Sequence, residues 1–428
     1  MIKTLNKAIA YNLWLAFSGI LTAFLVTFYF SKEIQGVYFT ITSLIAIKAI
    51  LDSGFSNVIL SYVALNKNKI IDKNKITFKD DGFKNISNIF LYSKKRFKVV
   101  SVLGFLSLQI LGWWFFIDYI ITENIFYWIT LTLIFSGNLL MIPYFSVIEG
   151  LDYLDSLFSF RLKCAFINSL SSWVVIFLGG GILCIIALNF SMLIQNFIYL
   201  RKYNRLFNKL NNGIYDKDFI RPIVKPMSIK ISLSWASSYF TSNGLIPFLF
   251  KYINPVVAGQ FGLSWALLSV ISTVSKQFVI VNRPKLGSLY NEKKFKEFSS
   301  LFIKNFLKGL GLFLILTIIL FFFYNNLGSL EIIKRLLPYN QLLLLSILFL
   351  TTIIMGYFTH FFRAQFKEPL YFSYVLISIT LLISMILNIN SLSVNLVMYT
   401  LIVANIIFGF TVLIYNLILF YKKLIIKK

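Results

Sequence analysis

Long apolar segments separated by short polar ones run along nearly the whole chain. A helix needs about 20 apolar residues to cross a hydrocarbon core of about 30 Å. We place twelve such segments at residues 8–30, 36–65, 97–117, 124–148, 157–178, 181–200, 229–250, 256–281, 301–324, 341–362, 370–388 and 396–420. The pattern predicts an all-α integral membrane protein with about twelve transmembrane helices.

Composition and charge agree with this prediction. The chain of 428 residues is 58% hydrophobic and only 13% charged, far from the usage of soluble proteins. Its net charge of +25 would suggest nucleic acid as a partner in a soluble protein. With the N-terminus placed inside, however, 36 of the 41 lysine and arginine residues fall on the inner side. This bias predicts a multi-pass protein with both termini cytoplasmic and no nucleic-acid partner.

The two halves of the chain resemble each other. The segment IQGVYFTITSLIAI (34–47) aligns with VAGQFGLSWALLSV (257–270), and both open the second span of a six-span half. We expect two pseudo-repeated six-helix lobes around a central cavity, residues 1–200 and 229–428, joined by a cytoplasmic linker, 201–228. Each half also carries a basic amphipathic run, at about 83–98 and 293–309, whose pattern is typical of a helix lying in the headgroup layer.

Two charges lie deep in the second span. Lys48 lies roughly 18 Å below the outer surface at 1.5 Å per residue, and Asp52 follows one turn later. Each would cost roughly 2.5–3.5 kcal/mol at the centre of a lipid-exposed helix, so neither is expected to face lipid. One interpretation is a hydrated cavity between the lobes, where Lys48 and Lys276 attract an anionic ligand and Asp52 carries a coupling cation. The other is an ion pair that locks two helices together, with Lys276 reaching to the inner interface.

Further polar residues are candidates for the same cavity. Gln277 follows Lys276 in the eighth span, Arg283 lies just beyond that span, and Arg363 near the inner end of the tenth span could meet a phosphate. Asn243 could line the cavity or form an interhelical hydrogen bond. The only histidine, His360, is expected to rest at the interface.

Several chemistries lack their motifs. The chain has no G-x-x-x-x-G-K-[ST] phosphate loop and no metal-ligand spacing, and Cys164 and Cys184 both lie in predicted spans. We therefore predict no catalytic residues, no metal, no cofactor and no disulfide. The chain reads as a transporter and not as an enzyme.

The opening NLWLAFSGILTAFLVTFYFSKEIQGVYFTITSL followed by LDSGFSNVILSYVA resembles the Wzx-type polysaccharide flippases of the multidrug/oligosaccharidyl-lipid/polysaccharide (MOP) exporter superfamily. The most specific part is Gly36-x-Tyr38 leading to Asp52-Ser-Gly54. The resemblance implies translocation of an undecaprenyl-pyrophosphate-linked oligosaccharide across the bacterial inner membrane by alternating access, for O-antigen or capsule synthesis. It also implies a polysaccharide polymerase and a chain-length regulator as partners, besides the lipid bilayer.

Three alternatives stay open. A multidrug exporter of the same superfamily should favour acidic cavity residues, and here Asp52 alone lies deep within a span. A lipid II flippase typically has two more spans than we count. A membrane polysaccharide polymerase or ligase would be expected to carry a large outer loop, whereas the predicted outer loops are short.

Overall fold

The computed structural model describes residues 2–66, 70–72, 77–78, 80–116, 125–213, 215–216, 232–365 and 369–426. The first half of the chain forms α1 (Ile2–Tyr29), α2 (Lys32–Ile45), α3 (Lys48–Asp52), α4 (Phe55–Asn66), the short antiparallel strands β1 (Ile70–Asp72) and β2 (Thr77–Phe78), α5 (Asp80–Phe116), α6 (Ile125–Leu140), α7 (Ile142–Gly150), α8 (Leu154–Phe177), α9 (Leu183–Arg201) and α10 (Asn204–Asn211).

The second half is helical throughout its described part. It forms α11, described over residues 232–241, α12 (Leu245–Tyr252), α13 (Pro255–Asn291), α14 (Phe295–Asn326), α15 (Glu331–Lys334), α16 (Tyr339–Arg363), α17 (Tyr371–Leu387), a 3-10 turn (Ile389–Ser391), α18 (Val394–Ala404), a π-helical turn (Asn405–Phe410) and α19 (Thr411–Ile426).

Ten helical segments of the described chain are long and apolar enough to cross a membrane. The prediction of an all-α membrane protein is therefore confirmed. Of the predicted spans, the seventh (229–250) lies partly outside the described residues, and the eleventh corresponds to the 17-residue helix α17. The count of twelve and the cytoplasmic placement of both termini stay predictions.

The chain divides into two compact units. The first unit contains Met1–Phe30 and Ile41–Tyr239, and the second contains Ser31–Thr40 and Phe240–Lys428. Helix α2 thus contributes its N-terminal part to the second unit and its remainder to the first. Residues 217–228 of the predicted linker lie outside the described residues, and the predicted lobes 1–200 and 229–428 stay a prediction.

The predicted second span is not one continuous helix. It is divided into α2, α3 and α4, and the α3–α4 junction contains Ser53 and Gly54, which both have left-handed backbone angles (φ 53° and 63°). The carboxylate of Asp52 accepts a hydrogen bond from the backbone N–H of Ser56 at 3.1 Å and so caps the start of α4. The break therefore fixes where Asp52 points.

Prolines and a glycine interrupt two other spans, as their sequence suggests. A turn at residues 242–244 separates α11 from α12, which has Pro247 in its first turn. The fourth span is broken between α6 and α7, with Pro143 at the beginning of α7. Since proline removes a backbone donor and disfavours a helical residue before it, both breaks have a local cause.

One end of the first unit contains a hydrophobic cluster around Phe90, which draws on α4, α5, α7 and α10. Helix α10 lies inside the predicted linker, yet Leu206, Phe207 and Leu210 are buried, and the Phe207 ring stacks on Phe90 at 5.3 Å between centroids. The hydroxyl of Ser87 donates to the Leu210 carbonyl at 2.6 Å. The beginning of the linker is therefore an integral part of the first unit.

The two amphipathic runs are not separate helices on the membrane surface, so that expectation was wrong. Both form the beginnings of longer helices, α5 and α14, and their apolar sides are covered by protein. In α14, Phe298 and Phe302 are buried and contact Phe361 of α16, with centroids 5.0 and 4.8 Å apart. The helical spacing of the phenylalanines in α14 therefore identifies the side that packs on protein, because α16 provides the apolar surface that covers it.

Helices α13, α14 and α16 approach closely in the second unit. The Tyr357 hydroxyl of α16 donates to the Ser275 carbonyl of α13 at 2.6 Å. Both groups lie where a side chain on Gly309 of α14 would be, so no larger residue fits there. A small residue at this crossing allows the three backbones to meet.

Candidate functional site

The first unit contains a cavity of about 840 Å³, bounded by α1, α3, α4, α6 to α9 and α11. Every lining residue belongs to the first unit. The polar and aromatic lining consists of Tyr11, Ser18, Lys48, Asp52, Ser56, Asn57, Asn138, Phe145, Ser146, Glu149, Phe160, Arg161, Asn168, Ser169, Asn196 and Trp235. The sequence predicted a cavity between the lobes, whereas this one lies within a single unit.

Lys48 and Asp52 both line this cavity from the five-residue helix α3, and both are half-buried. Asp52 accepts two hydrogen bonds from Ser56, one from its backbone N–H at 3.1 Å and one from its hydroxyl at 2.6 Å. The ion pairs of the described residues do not include one between Lys48 and Asp52. The structure thus places both residues on one cavity of the first unit, and their predicted role in a site shared with Lys276 stays a prediction.

A second pair of charges lines the same cavity and was missed from the sequence. Arg161 of α8 donates to Glu149 of α7 at 2.6 Å, and about a quarter of each side chain is accessible, 30% and 24% respectively. The sequence placed residues 150–163 in an inner loop, whereas α8 begins at Leu154 and carries Arg161 into the unit. The sequence did contain a sign of this ion pair, because Glu149 and Arg161 have opposite charges and lie on consecutive helices close to the connecting turn.

Asparagines add polar groups to the same wall. The Asn196 side-chain amide donates to the side-chain oxygen of Asn138 at 3.1 Å. The side-chain NH2 group of Asn138 in turn donates to the backbone carbonyl of Ile134 at 3.2 Å. The Asn168 oxygen accepts from Gln195 at 2.9 Å. These side chains form hydrogen bonds between helices and also line the cavity. An asparagine here therefore serves both helix packing and the polarity of the cavity wall.

In the second unit three of the predicted cationic residues lie near His360. Lys276 and Arg283 of α13 and Arg363 of α16 all lie close enough to act electrostatically on its imidazole. The Nδ1 atom of His360 is buried and has no hydrogen-bond partner among the described residues. Three of the predicted site residues thus lie near one another, and the placement of His360 at the membrane interface stays a prediction.

The other two predicted site residues have local partners. The Gln277 amide donates to the Thr273 carbonyl of its own helix at 3.4 Å. Asn243 lies in the turn between α11 and α12 and donates to the Ser242 hydroxyl at 3.3 Å. Lys48 belongs to the first unit and Lys276 to the second. The predicted convergence of Lys48, Lys276, Gln277, Arg283, Asn243 and Arg363 on one ligand stays a prediction.

Metal chemistry finds no support in the part of the chain that the structure describes. Its histidine, cysteine, aspartate and glutamate residues include no group of three or more placed to hold a metal ion. Cys164 and Cys184 are both buried and are not joined to each other.

No protein-family model matches the chain. No curated protein matches its sequence either.

Solved structures, in contrast, match over nearly the whole length. A multidrug resistance MATE family transporter of the MOP superfamily, in an inward-facing conformation, aligns with a TM-score of 0.70 at 13% identity and covers 97% of both chains. The lipid II flippase MurJ in an inward closed conformation aligns with a TM-score of 0.63 at 15% identity, over 96% of this chain and 87% of its own. The MATE multidrug transporter DinF-BH aligns with a TM-score of 0.58 at 14% identity, over 96% of this chain and 94% of its own. The chain therefore has the fold of MATE transporters and of MurJ.

Proposed function

We propose that this protein translocates undecaprenyl-pyrophosphate-linked oligosaccharides across the bacterial inner membrane, from the cytoplasmic to the outer leaflet. The fold supports a transporter or flippase, and the sequence resemblance to Wzx-type flippases supports the finer assignment. The observation that carries the proposal is the cationic group of Lys276, Arg283 and Arg363 around His360. The oxygens of a diphosphate are charged acceptors that suit such a cationic group.

In this proposal the cationic groups hold the diphosphate while the polyprenyl chain stays in lipid. Arg283 and Arg363 offer planar guanidinium donors, and Lys276 and Lys48 act as point charges. Gln277 and Asn243 offer hydrogen bonds to sugar hydroxyl groups. Alternating exposure to the two sides of the membrane then moves the headgroup across. A polysaccharide polymerase and a chain-length regulator would take up the product.

A multidrug exporter is the second candidate, and the fold supports it equally well. The cavity of the first unit favours it through one feature, the carboxylates of Asp52 and Glu149 beside the aromatic side chains of Phe145 and Trp235. Such a wall suits a flat cationic drug. Against it, Glu149 is already neutralised by Arg161.

Ligand binding separates the two candidates. We expect the purified protein in lipid nanodiscs to bind undecaprenyl pyrophosphate in preference to undecaprenyl phosphate and to ethidium, a flat cationic dye. The double variant Lys276→Ala/Arg363→Ala should weaken binding of undecaprenyl pyrophosphate by at least about tenfold, since each hydrogen bond to a charged group contributes roughly 1.5–3 kcal/mol. Isothermal titration or microscale thermophoresis measures this change.

The matched control is Lys163→Ala/Arg205→Ala, which also removes one lysine and one arginine, both exposed. It should bind like the unmodified protein. Binding of ethidium without binding of undecaprenyl pyrophosphate would reject the flippase and favour the multidrug exporter.

We further propose that Asp52 carries the coupling cation. Asp52→Asn keeps an acceptor for the Ser56 backbone N–H but loses the negative charge. We expect this variant to fold and to bind ligand, yet to show no stimulation of transport in proteoliposomes by a proton or sodium gradient. Asp155→Asn, at a carboxylate that is 58% exposed, is the control and should keep the stimulation. Gradient stimulation that persists in Asp52→Asn would remove Asp52 from the coupling mechanism.

A further inference from the structure

A basic groove of about 450 Å³ lies between the inner ends of α13 and α14 in the second unit. Lys285 comes from α13, and Lys296 and Lys304 come from α14, where they are two turns apart. The floor contains Leu289, Leu301 and the Ser300 hydroxyl, and Glu297 is the single carboxylate. Three cations against one anion make the groove complementary to a phosphate.

The groove lies at the level of the lipid headgroups. The candidate span Pro255–Arg283 ends two residues before Lys285. In α14 the uncharged stretch from Gly309 to Asn326 is about 27 Å long at 1.5 Å per residue, close to the thickness of the hydrocarbon core. Lys308 immediately precedes that stretch, and Lys304 lies one turn before Lys308. The three lysines are thus placed at a membrane boundary, and they share the strongly basic side that the charge bias predicts to be cytoplasmic.

One face of α14 continues from the groove into the lipid. Ile303 and Leu307 are 48% and 60% exposed beside Lys304, and Leu314 and Ile318 are 43% and 66% exposed further along the same face. A side chain on Gly311, between Leu307 and Leu314, would meet nothing within 4 Å, so this part of the face is open. The combination of a basic groove with an exposed apolar face leading from it matches a phosphate joined to an acyl chain.

We propose that this groove binds an anionic phospholipid of the surrounding leaflet. Its phosphate lies among the three lysines with the Ser300 hydroxyl as an additional donor. One acyl chain lies along the exposed apolar face at Leu307, Gly311 and Leu314. Basic pockets between transmembrane helices on the cytoplasmic side hold headgroups in this way. The inference is independent of which substrate the protein transports.

The test uses the full-length protein in detergent micelles with dioleoyl phosphatidylglycerol as the anionic probe and dioleoyl phosphatidylcholine as the zwitterionic one. Native mass spectrometry measures how many lipids stay bound. We expect the unmodified protein to retain phosphatidylglycerol over phosphatidylcholine. The variant Lys285→Ala/Lys296→Ala/Lys304→Ala should bind phosphatidylglycerol at least about tenfold more weakly, given the free energy that a lysine at a membrane surface typically contributes.

The control variant Lys163→Ala/Lys202→Ala/Lys209→Ala removes the same charge from three exposed positions of the first unit. It should keep the preference for phosphatidylglycerol, and melting curves of both variants should show that they are folded. Equal phosphatidylglycerol binding by the two triple variants would overturn the proposal. Displacement of phosphatidylglycerol by free glycerol phosphate would also overturn it, because the apolar face of α14 would then contribute nothing to lipid binding.

Discussion

Arg161 and Glu149 form an ion pair in the wall of the cavity that Lys48 and Asp52 also line. Both side chains are partly withdrawn from water, so each depends on the other for solvation. Removing one partner leaves a poorly solvated charge, whereas removing both leaves no unpaired charge at this part of the wall. The pair therefore matters more for keeping each charge in place than for net stability.

We expect Arg161→Ala to lower the free energy of unfolding by about 1–3 kcal/mol, the usual cost of leaving a partly buried charge without its partner. Adding Glu149→Gln to Arg161→Ala should restore most of that loss. Denaturant unfolding in detergent of the two single variants and the double variant measures the coupling. Lys163→Ala, exposed and two residues away, serves as the control. Additive losses in the double variant would show that the two side chains are not coupled.

Sequence reasoning found Lys48, Asp52 and Lys276 because charges within an apolar run stand out against their neighbours. It missed Arg161 because a residue close to a turn is assigned to the loop whenever the helix boundary is uncertain by a few residues. Which side of a helix a polar residue faces depends on its packing partners, and hydropathy averaged over a window carries no such information.

At the level of elements, close helix packing rests on a few small residues. Gly309 and Gly311 lie one half-turn apart on α14, and sequence alone does not distinguish them. Only Gly309 faces Ser275 and Tyr357, and a side chain at Gly311 would meet open space. The same residue type is thus required at one position and replaceable at the other.

Gly309→Ala should push α14 away from α13 and α16 and break the hydrogen bond between Tyr357 and Ser275. We expect a loss of about 1–3 kcal/mol, typical of overpacking, measured as a lower melting temperature in detergent. Gly311→Ala is the matched control and should be neutral or more stable by up to about 1 kcal/mol, since alanine is the better helix former. Adding Tyr357→Phe to Gly309→Ala removes the hydroxyl that collides and should recover part of the loss. Equal melting temperatures for the two alanine variants would contradict the packing described here.

The second span shows what hydropathy leaves out at this scale. A continuous helix over residues 36–65 satisfies the apolar pattern, but the structure divides it at residues 46–47 and at Ser53-Gly54. Ser and Gly are common in turns, although in membrane helices they also serve close packing. The sequence therefore leaves both outcomes open, and the cap that Asp52 provides to α4 favours the break.

For the whole molecule, hydropathy predicted the all-helical membrane fold well, because about 20 apolar residues in succession have few alternatives to a transmembrane helix. The basic segments of the two halves were harder to interpret. Their apolar sides at Phe90 and Phe298 pack on protein and not on lipid headgroups. Periodicity reveals an apolar side but not the kind of apolar partner that covers it.

The charge bias makes a prediction about the orientation of the whole chain. In a background with Cys164→Ala and Cys184→Ala, Lys296→Cys and Asn326→Cys place single thiols at exposed positions near the two ends of α14. A membrane-impermeant maleimide should label Asn326→Cys in spheroplasts and Lys296→Cys only in inside-out vesicles or after permeabilisation. The reverse pattern would overturn the predicted orientation and, with it, the cytoplasmic termini.

The hydrophobic cluster of the first unit also bears on how the protein is made. It joins Phe55 to Leu210, so residues from opposite ends of the first half must meet before it closes. While the ribosome has not yet released α10, the ring of Phe90 has no Phe207 to cover it. Uncovered apolar surface on a nascent chain invites misfolding. The first half must therefore emerge almost completely before this cluster can fold.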